Sequence, residues 1–193
     1  MSKIKQNKTH SVLLTSLKKE GFEHNLPKSL FHKRDLLDEK IEKILEILKE
    51  RHWTIGVMES CTGGAMANCI TNIPGASDVF ECGLVTYCNE AKIKAGVDKE
   101  IIKKWGVYSI EVAEEMAKKT IGNVGVGVTG NLPGNVFVAV RIETNVESRK
   151  LKVESNNKDK IEDRLGELRR VEARIQMKKQ VVERVIEMLI ENI

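Results

Sequence analysis

The strongest constraint on the fold is an alternation of hydrophobic periods that begins at Asp35. Leu36, Leu37, Ile41, Ile44, Leu45 and Leu48 recur every three or four residues, so the spacing predicts an amphipathic helix over residues 35–51. Thr54-Ile55-Gly56-Val57-Met58 follows as a short apolar run of strand length. Gly63-Gly64 opens a helix reaching about Asn72, which Pro74-Gly75 ends. A second strand is expected over residues 83–87, and Asn89 is suited to cap a helix beginning at Glu90. Ser109 likewise opens a helix reaching about Ile121. Two apolar strands, Val124–Val128 and Val136–Ile142, are joined by Thr-Gly-Asn-Leu-Pro-Gly-Asn. Within that joint Pro133-Gly134 matches the central pair of a type II turn, which predicts a tight antiparallel return. One more strand is expected over Lys150–Glu154 and a helix from Lys160 onward, with Gly166 as its weak point. Helices that alternate with strands in this way define an α/β architecture.

Charge divides the chain differently from hydropathy. Residues 1–34 hold eight Lys/Arg and two Glu, a net +6, whereas the remaining 159 residues carry −2. The expected organisation is therefore a basic N-terminal extension, 1–34, followed by one domain, 35–193. No apolar run approaches the roughly 18 residues that span a bilayer, and the N-terminus lacks the apolar core of a secretory signal. A cytoplasmic protein with no membrane partner is the expectation. The cysteines at 61, 69, 82 and 88 form no CxxC pair, so free thiols in a reducing compartment are expected rather than a zinc knuckle. No His, Asp or Glu group has metal-ligand spacing, and neither a metal nor a cofactor is expected. Only eight aromatic residues are present, too few for a surface that stacks successive bases. Nucleic acid is accordingly a poor candidate partner, and only the basic arm would offer it a surface.

Chemistry concentrates in two segments. Glu59-Ser60-Cys61-Thr62-Gly63-Gly64 lies between a strand and a helix, which places Ser60 at the carboxyl edge of the sheet. The first N–H groups of the following helix would suit a phosphate or an oxyanion. The second segment is Val85-Thr86-Tyr87-Cys88-Asn89-Glu90-Ala91-Lys92. If residues 54–87 form one βαβ unit, both strands end at the same sheet edge, and Ser60, Tyr87 and Lys92 can converge. With Asn89 as cap, Lys92 would occupy the third helical position, where the helix dipole and burial both lower its pKa. A lysine of lowered pKa can act as general base to a serine. A Ser–His–Asp triad lacks its histidine: His10, His24 and His32 lie in the arm, and His52 ends the first helix. Cys61 is a rival nucleophile, because a helix N-terminus can lower a thiol pKa.

Glu59–Gly64, Pro74-Gly-Ala-Ser77, Phe80, Val85–Lys92, Gly96-Val97, Gly106-Val107 and Ser109 together resemble the CinA C-terminal-domain family. Its members include nicotinamide-nucleotide amidohydrolases. The resemblance runs from about residue 38 to the C-terminus and is densest from 54 to 109. It implies a three-layer α/β/α domain with a mixed sheet, similar to Ser–Lys amidases. It also implies hydrolysis of nicotinamide mononucleotide to nicotinate mononucleotide and ammonia, without a cofactor. By position, Ser60 would be the nucleophile, Lys92 the base and Tyr87 a hydroxyl partner. The implied substrate-binding set is Cys61, Thr62, Gly63, Gly64, Asn89, Thr129, Gly130 and Arg174. In this reading N–H groups near Cys61 and Thr62 receive the oxyanion, and Gly63-Gly64 or Thr129-Gly130 holds the phosphate. A homo-oligomer would also be in keeping with the resemblance. The segment after Gly127-Val-Thr-Gly130 is shorter than the family pattern, Cys88 stands where the family has serine, and residues 156–172 look like a charged insertion. Those departures motivate an alternative: a nucleotide- or protein-binding module without catalysis.

Overall fold

A computed structural model describes residues 36–143, 149–154 and 164–193. The basic extension and residues 156–163 of the charged insertion lie outside the described residues. The first helix, α1, spans Leu36–Glu50 and buries Leu37, Ile41, Ile44, Leu45 and Leu48, the face its periodicity marks. It ends where His52 adopts φ 55°, with the Trp53 N–H donating to Leu48 O and the His52 N–H to Lys49 O. That pair of bonds satisfies carbonyls the helix would otherwise leave open.

Strand β1, Ile55–Glu59, is buried along its whole length and runs into α2, Ala65–Thr71. A 3-10 turn, Ala76–Asp78, leads to β2, Phe80–Val85. The second strand thus begins three residues before the expected 83 and ends two before 87. Parallel pairing with β1 sets these limits: the register runs from Ile55 opposite Phe80 to Glu59 opposite Val85, and β1 ends there. Three short helices come next: α3, Asn89–Lys94; α4, Lys99–Trp105; and α5, Ile110–Lys118. Ser109 caps α5 as expected, its hydroxyl accepting from the Val112 N–H. The expected cap of α3 is corrected: Cys88 occupies that place, its carbonyl accepting from the Lys92 N–H, and Asn89 is the first helical residue.

The rest of the sheet is β3, Val124–Gly130; β4, Asn135–Ile142; and β5, Arg149–Glu154. A helix of 29 residues, α6, covers Arg164–Asn192 and runs through Gly166. The strand order is β2-β1-β3-β4-β5. The first three strands are parallel and the last two pair antiparallel, so the sheet is mixed. The return between β3 and β4 is not the expected type II turn. Gly134 has φ 152°, far from the roughly +80° of that turn, and the Asn131 N–H donates to Asn135 O.

Alternation along each strand assigns the layers. Ile55, Val57, Val124, Val126, Val128, Val136, Val138 and Val140 face α1, α2 and α6 in one continuous core. Met58 and Ala139 point to the other face, against α5 and the segment around Val97. Close approach there depends on glycine. A Cβ at Gly127 would lie 2.0 Å from Ala113 O, and one at Gly125 would lie 2.3 Å from Ala117 O. The three-layer α/β/α domain expected from the sequence is the observed fold. Its three parallel strands end at a common edge, where residues 59–60, 85–87 and 130 gather.

Candidate active site

Glu59 and Ser60 point to opposite faces of the sheet, and each builds a different half of this edge. The Glu59 carboxylate is fully buried and accepts from the N–H groups of Gly64 and Met66 at 3.1 Å and of Ala67 at 2.9 Å. A negative charge among the free donors of a helix start is favourable. The Gly63 N–H donates to Ser60 O. These donors are therefore already engaged, which corrects the expectation that the Gly63-Gly64 turn offers a phosphate cradle. The Glu59 role was not foreseen from the sequence. Its signal was a carboxylate closing an apolar strand, five to eight residues before the glycine-opened helix.

Ser60 lies on the opposite side. Lys92 Nζ donates to Ser60 Oγ at 2.9 Å and to Thr86 O at 2.6 Å. The lysine is 1% exposed and the serine 5%. Burial pushes the Lys92 pKa below its ordinary value, with the Cys88 and Cys61 thiols acting in the opposite direction. The helix dipole does not add to this as expected, because α3 has only six residues and Lys92 sits in its last turn rather than at a third helical position. Desolvation alone carries the shift. Thr86 is itself fixed, its N–H donating to Glu59 O at 2.8 Å. The lysine therefore rests on a carbonyl at the end of one strand and a hydroxyl at the end of its neighbour.

Cys61 is 3% exposed, and burial pushes its thiol up to about 11, while the N–H groups of Cys61 and Thr62 and the nearby Arg174 pull it down. It is a protonated thiol at neutral pH, which argues against Cys61 as the rival nucleophile to Ser60. Thr62 Oγ1 is buried and has no hydrogen-bond partner.

A cavity of about 100 Å³ opens over this pair. It is lined by Ser60, Cys61 and Lys92, by Tyr87, Asn89 and Arg174, and by Val107, Tyr108 and the segment Gly130-Asn131-Leu132. Of the expected substrate-binding residues, Cys61, Asn89, Gly130 and Arg174 line it, whereas Thr62, Gly63, Gly64 and Thr129 do not. The Thr129 hydroxyl instead donates to Val107 O at 2.9 Å. Tyr87 lines the cavity, but its hydroxyl accepts from Arg174 Nη2 at 3.3 Å and makes no bond to Lys92 or Ser60. Arg174 Nη1 donates to Leu132 O, so α6 ties the short β3–β4 connection to Tyr87. Tyr108 was not foreseen at this site. Among the described residues, no group of His, Cys, Asp and Glu could hold a metal ion.

This is an α/β/α domain with a buried serine–lysine contact at the carboxyl edge of its parallel strands. The family model described as the CinA C-terminal domain matches residues 37–193, and the chain belongs to that family. A CinA-like protein of Chloroherpeton thalassium is 50% identical over 94 residues, 46% of this chain and 22% of that protein. A CinA-like protein of Flavobacterium psychrophilum is 39% identical over 129 residues, 58% of this chain and 31% of that protein. The matched region thus spans only a fifth to a third of these relatives. Among solved structures, the competence/damage inducible protein CihA of Agrobacterium tumefaciens is 27% identical, with a TM-score of 0.67 over 82% of this chain and 96% of that one. The competence damage-inducible protein A of Klebsiella pneumoniae, 17% identical with a TM-score of 0.66, shares the fold. No helix among the described residues is long and apolar enough to cross a membrane.

Proposed function

We propose that the chain is an amidohydrolase that converts nicotinamide mononucleotide and water to nicotinate mononucleotide and ammonia by a Ser–Lys mechanism. The observation that carries this reading is the 2.9 Å contact between a buried Lys92 and Ser60. A neutral Lys92 keeps two N–H groups, one of which holds Thr86 O, and its lone pair accepts the Ser60 proton. Ser60 Oγ attacks the carboxamide carbon as Lys92 takes that proton. With the Gly63, Gly64, Met66 and Ala67 N–H groups engaged and Thr62 away from the cavity lining, the Cys61 N–H is the oxyanion donor left among the residues expected for that role. The protonated Lys92 then passes its proton to the departing nitrogen, and ammonia leaves. Water attacks the acyl-serine ester with Lys92 again as base, which releases the acid and restores Ser60. Arg174 supplies the positive charge at the cavity for the anionic part of the nucleotide.

Ammonia release from nicotinamide mononucleotide by the purified chain tests the proposal, with Ser60→Ala as the control. No release between pH 6 and 10, or equal release by Ser60→Ala, overturns it. The cavity size favours a second reading, since about 100 Å³ is well below the roughly 300 Å³ at which ligand pockets begin. A binding module without turnover would gain thermal stability with the nucleotide, equally in wild type and Ser60→Ala, and release no ammonia.

A further inference from the structure

The cavity has room for a carboxamide over Ser60 but not for a nucleotide, so any aromatic ring attached to that carboxamide must lie at the rim. Both tyrosines of the chain line this cavity, and both are largely exposed: Tyr87 at 65% and Tyr108 at 51%. Both rings stand open to water beside the buried serine–lysine pair, so each offers a face at the mouth of the cavity. Their attachments differ. The Tyr87 hydroxyl is held by Arg174, whereas among the described residues the Tyr108 hydroxyl has no hydrogen-bond partner.

The backbone on both sides of Tyr108 is pinned. Thr129 Oγ1 donates to Val107 O at 2.9 Å, and Ser109 Oγ donates to Gly106 O at 2.8 Å. Ser109 also receives the Val112 N–H, which ties the same loop to the start of α5. Thr129 stands at the end of β3, so the loop is anchored both to the sheet and to a helix. An exposed ring on so short and fixed a loop loses little freedom when something stacks on it, which is the property of a preorganised platform.

We infer that Tyr108 is the specificity-determining residue of this site, a platform that stacks the planar ring of an aromatic carboxamide whose amide reaches Ser60. Thr129 acts through it as a positioning residue. The inference rests on the amidohydrolase reading for its substrate class but not for its test. Stacking on an aromatic side chain is sequence- and substituent-tolerant and supports about a tenfold change in affinity on removal.

The experiment compares wild type, Tyr108→Phe and Tyr108→Ala on nicotinamide mononucleotide and on propionamide, with calorimetric binding of nicotinate mononucleotide measured in parallel. Tyr108→Ala should raise KM for the nucleotide about tenfold, with the loss in KM rather than kcat, and should lower the preference for the aromatic over the aliphatic amide by a similar factor. Tyr108→Phe, which keeps the ring, should restore both. Thr129→Val should weaken nucleotide binding in the same direction, and by less. Equal KM values in wild type and Tyr108→Ala, or an equal loss on both amides, overturn the inference. If wild type hydrolyses neither amide, the amidohydrolase reading fails and binding decides. Affinity for nicotinate mononucleotide that falls about tenfold in Tyr108→Ala and recovers in Tyr108→Phe then upholds the platform. Equal affinities, or no binding by wild type, overturn it.

Discussion

Thr86 O and Lys92 Nζ lie 2.6 Å apart and six positions apart in the chain, the first just past β2 and the second inside α3. This bond holds the lysine in place from its own side of the site while Ser60 comes from the neighbouring strand. It also explains why a lysine can be 1% exposed with no carboxylate paired to it among the described residues: the carbonyl and the serine hydroxyl together replace part of its hydration.

The pH dependence follows from that burial. The folded state holds the Lys92 proton less tightly than the unfolded chain, whose lysine titrates near 10.5. Between the lowered folded value and 10.5 the unfolded state binds more protons, so stability rises with pH across that window. Below it both states are protonated, and the cost of the buried ammonium is constant. Urea denaturation of wild type and Lys92→Met over a pH series should show a difference that shifts in favour of wild type as pH rises. A difference independent of pH would remove the lowered lysine. In activity, the acid limb of kcat/KM should report the same group and vanish in no variant that keeps Lys92.

Cys61 and Cys88 flank the lysine with opposite accessibilities, the first 3% exposed and the second exposed. With its thiol at about 11, Cys61 has on the order of 0.1% thiolate at pH 8. Iodoacetamide at that pH should label Cys88 in minutes and spare Cys61 in the folded protein, as read by peptide mass spectrometry. Cys61 labelling as fast as that of Cys88 would contradict the protonated thiol. Retention of ammonia release by Cys61→Ser would then separate the serine from the thiol as nucleophile.

Serine and lysine should fail as one unit. Ser60→Ala and Lys92→Ala are each expected to lower kcat by at least about 10³-fold, and the double variant by little more than either. Lys92→Arg should be as inactive as Lys92→Ala, because a guanidinium does not deprotonate in the working range. Ammonia release by the four proteins is the measurement. Wild-type turnover by Lys92→Arg would exclude lysine as the base.

Legibility in the sequence followed burial. The first helix, the strands around Val57 and Val126, and the helix after Ser109 carry periodic apolar faces that end in the core, and each lies within a few residues of its expected limits. Helix α4, Lys99–Trp105, was not foreseen because none of its residues is fully buried and only Ile101 and Ile102 pack partly against the core, too short a pattern to mark a helix. Ser60 and Lys92 could be paired on paper because parallel strands share an edge. The partners of Tyr87 and the place of Tyr108 could not. Tyr87 meets Arg174 from 87 residues away, and Tyr108 lines the cavity on a loop that Thr129, from the end of β3, and Ser109 hold by hydrogen bonds. Such contacts depend on how distant segments pack, which no local pattern records.

Glu59 offers the most direct test of how the edge is built. Its two oxygens receive three backbone N–H groups at the start of α2, and it is fully buried on the face of the sheet away from Ser60. Glu59→Ala leaves those donors without an acceptor and opens a cavity in the core, so a loss of roughly 2–4 kcal/mol is expected. Glu59→Gln keeps one oxygen for Gly64 and Met66 but turns an NH2 toward the Ala67 N–H. Its cost should be smaller, about 1–2 kcal/mol. Urea denaturation gives both values. Because Ser60 precedes the helix start by only a few residues, any slack there should reach the Ser60 hydroxyl, and on the amidohydrolase proposal it should lower kcat in Glu59→Gln even where the protein remains folded. Glu59→Gln with wild-type stability and wild-type kcat would show that the three N–H contacts neither hold the helix nor position the serine.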